Sequence, residues 1–192
     1  MEAIMKRVLS VAAVFGAVFA SSDALANSET FGNQGNFVIR TDTNIGGGMA
    51  PAAATNVGFG TTFDVGTSIF LAPAADYFVI KNLSVGAAMP LVINIAGAAG
   101  GGGTTVLFGL LGRVGYNLSF SDKFGIWPQA GIGFRHLSMG GGSDTAAQMK
   151  LSAPFMFHPA DHFFLGLGPD FTTGFKDGTN NLGFNFVIGG YF

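Results

Sequence analysis

The chain of 192 residues contains no cysteine. Disulfides, thiolate chemistry and lipidation of an N-terminal cysteine are therefore excluded as sources of stability or function. Charge is also scarce: Asp, Glu, Lys and Arg make up 10 % of the residues, against a usual quarter or so in soluble domains. That is too little to cover a soluble surface. Of the nine Lys and Arg residues, Lys6 and Arg7 stand at the start and the rest are scattered, so no basic tract meets nucleic-acid phosphates. The net charge of −2 selects no class of partner. Beyond residue 20 there is no long apolar run either. Gly, Pro or a polar residue interrupts the chain every few positions, which excludes a membrane helix of roughly 20 residues.

The abundant residues are Gly, with 31 copies, and Phe, with 21, in a chain that is 48 % hydrophobic. An oily, weakly charged chain without a membrane helix has one way to satisfy its backbone in lipid, which is a closed sheet. The first residues fit export. Lys6 and Arg7, the apolar run Val8 to Ala20 and the small residues around Ala24 and Ala26 predict a signal peptide over 1–26, cleaved near Ala26/Asn27. Residues 27–34 read as a short periplasmic segment and 35–192 as one domain.

From Gly35 onward the chain has a period of two, in segments near the roughly 9 to 11 residues of a membrane-spanning strand. In "LSVGAAMPLVINI", Leu83, Val85, Ala87, Met89, Leu91, Ile93 and Ile95 share a face opposite Ser84, Gly86, Pro90 and Asn94. The closing "NLGFNFVIGGYF" sets Leu182, Phe184, Phe186 and Ile188 against Gly183, Asn185, Val187, Gly189 and Tyr191. Eight such segments predict an all-β fold, an eight-stranded antiparallel up-and-down transmembrane β-barrel. The second segment, near Thr67 to Pro73, is the least regular.

The connections alternate. Three tight ones are expected around Asp76, Asp122 and Asp161, each Asp beside aromatic residues, and looser Gly-rich ones over Gly46 to Asp64, Ala96 to Thr105, Ser138 to Ala146 and Thr173 to Asn181. Short periplasmic turns and longer outer loops are the asymmetry of outer-membrane barrels. Tyr77, Phe78, Phe120, Phe124, Trp127, Phe157, Phe163, Phe164, Tyr191 and Phe192 gather at the tight end and are expected to form an interfacial girdle.

Strand charges fall on the small, polar face. Arg40, Asp42, Arg113, Gln129, Arg135, Lys150 and Asp170 are thus expected inside as a polar network, because Arg or Lys facing lipid at mid-depth costs about 2 to 4 kcal/mol. Eight strands leave room for side chains and little else, so the expected interior is plugged, with a small passive pore as the alternative. "HPADH" places His158, Asp161 and His162 close in sequence, but the parallel with "APAADYF", which sets Tyr77 where His162 stands, points to an interfacial turn. No metal or cofactor site is expected. The run Gly100 to Gly103 lacks the Lys of a phosphate-binding loop and reads as a flexible connection.

The signal peptide, the hairpin alternation, the turn "DYFVIKNLSVG" from Asp76 to Gly86 and the terminal Phe192 together resemble the small outer-membrane β-barrel proteins of Gram-negative bacteria, of the OmpA and OmpX type. The resemblance spans Gly35 to Phe192. It implies an outer-membrane location, contact with outer-membrane lipid and lipopolysaccharide, a monomer, and an assembly signal at Phe184, Phe186, Ile188 and Phe192 read by the barrel-insertion machinery. Gly190 departs from the usual apolar residue at its position. "GFRHLSMGGG" also resembles the His-x-Ser of outer-membrane lipid A deacylases, which implies His136 and Ser138 as catalytic candidates facing lipid. Met139 stands where that family has Asn. The expected function is a structural or surface-interaction barrel without catalytic activity; the alternatives are the passive pore, the lipid A deacylase-like hydrolase and a soluble periplasmic barrel or sandwich.

Overall fold

The computed structural model describes residues 31–45, 58–62, 66–96, 103–176 and 180–192. The expected signal peptide, its cleavage site and residues 27–30 lie outside the described residues. Among the described residues there is no helix. The strands are β1 (Phe37–Ile45), β2 (Gly58–Thr62), β3 (Gly66–Leu71), β4 (Pro73–Ile80), β5 (Leu83–Ala88), β6 (Leu91–Ala96) and β7 (Gly103–Tyr116). They continue as β8 (Leu118–Ser119), β9 (Phe124–Ile126), β10 (Gln129–Met139), β11 (Gly142–Ser152), β12 (Phe155–Ala160), β13 (Phe163–Gly174) and β14 (Asn180–Tyr191).

Several of these are pieces of one longer run. β3 and β4 meet at Ala72, β5 and β6 at Met89–Pro90, β7 and β8 at Asn117, β9 and β10 at Trp127–Pro128, and β11 and β12 at Ala153–Pro154. With β1, β13 and β14, the described residues trace eight runs, each antiparallel to its neighbours. β14 then pairs with β1 from Val38↔Tyr191 to Ile45↔Phe184, which closes the sheet into a barrel. β2 lies along β3 beyond the point where β1 leaves β4 at Thr41↔Pro73, so the Gly-rich stretch after β1 includes a strand.

Four of the five interruptions lie at or beside a proline, and the fifth is at Asn117. Proline has no N–H to give a ladder, yet each carbonyl still accepts: Met89 N–H donates to Pro73, Gly109 to Pro90, Tyr116 to Pro128 and Trp127 to Pro154, all at 2.9 Å, and Ala153 to Pro169 at 3.0 Å. The wall stays hydrogen-bonded across every such break.

Side-chain direction follows the period of two. Outward residues are apolar and open, with Ile132 64 % and Leu182 67 % exposed, while Arg40, Asp76 and Asn185 are buried. A soluble protein has the opposite distribution. Glycines on the inward face make space for the large inward groups. Gly189 lies opposite Arg40, Gly86 opposite Asp76 and Gly131 opposite Arg113. This use of glycine follows from the narrow bore of an eight-run barrel.

Three expectations need correction. Asp76 is not in a turn: it lies within β4, pointing inward, and the turn is Lys81–Asn82. Asn82 takes a left-handed conformation (φ 68°), as does His162 (φ 62°) in the matching Asp161–His162 turn, so Asn82 and not Tyr77 corresponds to His162. Asn tolerates that region better than most residues. Second, Ser138 to Ala146 is not a loose loop, because β10 and β11 run to Met139↔Gly142 and reverse through Gly140–Gly141. Gly141 has φ 135°, which suits glycine. Third, the ten-residue girdle divides by parity. Tyr77, Phe120, Phe124, Phe157 and Phe163 face outward, whereas Phe78, Trp127, Phe164 and Tyr191 are buried inside.

The barrel's narrowness is testable at Gly189. A Cβ there would stand 2.6 Å from Arg40 Cβ and from the Ile39 carbonyl, and 2.7 Å from Phe164 Cζ. Gly189→Ala should destabilise the fold by about 1 to 3 kcal/mol through overpacking. Urea unfolding in detergent micelles would measure it, and an unchanged midpoint would contradict so tight an approach.

Candidate functional site: the barrel interior

The interior is built in two layers, and each layer draws on several runs. The first is ionic. Arg40 and Asp42 come from β1, Asp76 from β4, Arg113 from β7 and Gln129 from β10. Arg113 Nε donates to Asp76 Oδ1 at 2.7 Å and Nη1 to Asp42 Oδ2 at 2.9 Å. Arg113 Nη2 also reaches Asp76 Oδ2, making a two-pronged pair of the kind that guanidinium geometry favours. Arg40 Nε lies 3.1 Å from Asp42 Oδ1 and 3.4 Å from Asp76 Oδ2, and its Nη2 donates to Gln129 Oε1. Two guanidinium groups and two carboxylates thus meet in a cluster with no net formal charge.

Lys150 on β11 and Asp170 on β13 form a further pair at 3.7 Å. Arg135 is half-buried on the inward face of β10. Of the seven residues expected to form the inward network, Arg40, Asp42, Arg113 and Gln129 join one cluster, Lys150 and Asp170 pair with each other, and Arg135 shares the same inward face. Asp76 was absent from the expected set although it contacts both arginines. Its signal was available: it follows Ala72 and Ala74 at period two on a buried face, but the neighbouring aromatics made the stretch read as a turn.

The second layer is aromatic and lies toward the turn end. Trp127 joins the two. Arg40 Cζ sits 4.4 Å from the Trp127 ring centroid, a cation–π arrangement, and Trp127 Nε1 donates to Ser84 Oγ at 3.2 Å. On its other side Trp127 packs with Phe78, Phe164 and Phe31. Phe31 is central. Its ring lies 5.2 Å from Phe78, 5.0 Å from Trp127, 5.0 Å from His158, 5.3 Å from Phe164 and 5.3 Å from Tyr191.

Phe31 precedes β1, so this core residue comes from the segment read as a short periplasmic stretch. Backbone bonds hold that segment in place: Asn82 N–H donates to the Gly32 carbonyl at 2.6 Å, and Gly35 N–H to the Phe78 carbonyl at 2.9 Å. Asn117 Nδ2 also donates to the Phe31 carbonyl at 3.2 Å. The interior therefore carries an apolar layer as well as a polar one, where the sequence led to an expectation of polar side chains alone.

The remaining candidates lie elsewhere. His136 and Ser138 share the outward parity of β10, and His136 Nδ1 is 2.7 Å from Thr145 Oγ1 on β11. His158 points inward against Phe31, whereas His162 Nδ1 lies 3.0 Å from the Tyr191 carbonyl. Phe184, Phe186 and Ile188 lie on the outward face of β14, opposite in parity to Asn185 and Val187.

Removing one partner of a buried ion cluster leaves an uncompensated charge, a cost of about 3 to 5 kcal/mol. Arg113→Ala leaves two buried carboxylates, Asp42 and Asp76, facing the single Arg40 guanidinium, with Asp76 1 % exposed, and should cost that much in micelle unfolding. Adding Asp76→Asn should recover part of the loss. A penalty below about 1 kcal/mol, the range of exposed pairs, would contradict the cluster's structural role.

No protein-family model matches the chain, and no curated protein matches it in sequence. Solved structures do match. The N-terminal β-barrel domain of Pseudomonas aeruginosa OprF is similar with a TM-score of 0.52 and 11 % identity, over 83 % of this chain and 98 % of that one. The attachment invasion locus protein Ail of Yersinia pestis matches with a TM-score of 0.45 and 12 % identity, over 82 % of this chain and 98 % of Ail. At such identities the likeness to OprF is one of fold. By fold, this chain is a closed antiparallel β-barrel similar to that of the OprF N-terminal domain.

Proposed function

We propose that the chain is an integral outer-membrane protein with a structural or surface-interaction role, and that its interior does not conduct. The observation that carries this reading is the inverted burial of a closed sheet, with apolar residues outside and an ion cluster inside. An exposed apolar belt of that extent is stable in lipid and not in water. The Lys81–Asn82 and Asp161–His162 turns then face the periplasm, and the Gly-rich connections at the other end meet lipopolysaccharide and the surroundings of the cell. The protein acts as a monomer, and Phe184, Phe186 and Ile188 of β14 together with the following Phe192 serve as the signal for the barrel-assembly machinery.

Two stacked layers favour closure over a passive pore. An ion crossing the interior would have to displace both the Arg40–Asp42–Asp76–Arg113 cluster and the rings around Phe31. Hydrolysis has weaker support. In a Ser–His pair the imidazole is oriented through Nδ1 by an acidic group, and here Nδ1 of His136 meets Thr145.

Membrane fractionation of the expressed protein should place it in the outer membrane, with heat-modifiable migration on gels and a β-sheet circular dichroism spectrum in detergent. Planar bilayers should show no reproducible channel events, and mass spectrometry of lipid A should show the same acyl pattern with the wild type as with Ser138→Ala. A soluble mature protein would refute the membrane reading. Channel events would replace it with the pore, and a Ser138-dependent loss of an acyl chain with the hydrolase.

A further inference from the structure

At the turn end a cleft of about 670 Å³ opens between the Lys81–Asn82 turn and the β8–β9 hairpin. Its sides differ in chemistry. Tyr116, Phe120 and Phe124 line it from the hairpin and the strand leading to it, on the same parity as the apolar outer wall. All three are exposed. Asn117 and Ser119 line it from the inward parity, together with Asn82. Lys81 and Asp122, both exposed, also line it, as do Phe31, Asn33 and His158. Neither charge takes part in an ion pair among the described residues.

A fully polar ligand would leave the three rings bare, and a purely apolar one would leave an ammonium and a carboxylate without partners. An amphiphile satisfies both sides. One cation and one anion in the same cleft further match a head group that carries one charge of each sign. On this basis, and resting on the membrane reading above, we propose that the cleft binds a zwitterionic phospholipid of the phosphatidylethanolamine class. The lipid phosphate meets Lys81, whose point charge suits phosphate, and the lipid ammonium meets Asp122. Ser119, exposed on the hairpin, faces the glycerol region. The acyl chains leave along Tyr116, Phe120 and Phe124 onto the outer wall, where amphipathic rings are stable at the membrane interface. The cleft is thus a lipid site that anchors the turn end at one depth.

The test uses the full exported chain in detergent, equilibrated with mixed micelles of dioleoyl-phosphatidylethanolamine and dioleoyl-phosphatidylglycerol and read by native mass spectrometry. The wild type should retain phosphatidylethanolamine in preference to phosphatidylglycerol. Lys81→Ala should weaken retention about tenfold, a charge-assisted hydrogen bond's worth, and Asp122→Asn should abolish the preference between the two lipids. Equal retention by the wild type and the Lys81→Ala/Asp122→Asn double variant would overturn the proposal, as would no preference in the wild type or no retained lipid. Displacement of the lipid by a soluble disaccharide added at equal concentration would also overturn it, in favour of a saccharide site. Heat-modifiable migration of the same samples reports on the barrel itself, so failure of the lipid site and failure of the membrane reading are told apart.

Discussion

A wall surrounded by hydrocarbon has no water to satisfy its N–H and C=O groups, so each must find its partner within the wall. Here the pairing of Val38–Ile45 with Phe184–Tyr191 completes that requirement, because it joins the first run to the last and removes both edges. The chain nevertheless places several prolines within its wall. The continuing acceptance by Pro73, Pro90, Pro128, Pro154 and Pro169 shows how the wall tolerates them: each ladder loses one donor while the proline's carbonyl remains engaged.

Closure also decides where the charges go. Because side chains alternate with period two, a slip of one residue would turn a whole inward set toward lipid. For β1 that set includes Arg40 and Asp42, and for β7 it includes Arg113. At about 2 to 4 kcal/mol for each Arg at mid-depth, such a slip is strongly disfavoured. The ion cluster is thus better understood as a device that specifies register than as a net source of stability, since buried pairs often do no more than offset their own desolvation. It works because Asp42, Asp76 and Arg113 lie on three different runs, so their contacts form only at one stagger. The inward glycines complete the specification by fitting one large side chain each, as Gly189 does for Arg40 and Gly86 for Asp76.

Most of this was legible in the alternation of the sequence. The outward Leu, Ile and Phe residues of β5 to β14 and the inward Arg40, Asp42, Arg113 and Gln129 follow from parity alone. Parity also contained what the composition-based girdle obscured. Phe163 and Phe164 are adjacent, so they cannot share a face, and Trp127 has the inward parity of Gln129. Aromatic density near an interface masked that distinction. Asp76 was hidden for the same reason, and the Gly140–Gly141 reversal was hidden because a run of three glycines reads equally as a loop or a tight hairpin. Phe31 is different in kind. It belongs to no periodic segment, and its burial depends on rings contributed by residues 78 to 191, so no local pattern could indicate it.

That dependence has a consequence for how the molecule is completed. Phe31 is close to Phe78 on β4, Trp127 between β9 and β10, His158 on β12, Phe164 on β13 and Tyr191 on β14. No single hairpin supplies this surround. The ring can reach its full set of partners only when β14 has paired with β1, since Tyr191 and Val38 stand opposite each other in that last ladder. Docking of the N-terminal segment is therefore coupled to closure of the sheet, and the aromatic layer fills the bore in the same step that removes the wall's free edges. Trp127 extends the coupling to the charges, because the ring that packs on Phe31 also carries the Arg40 guanidinium.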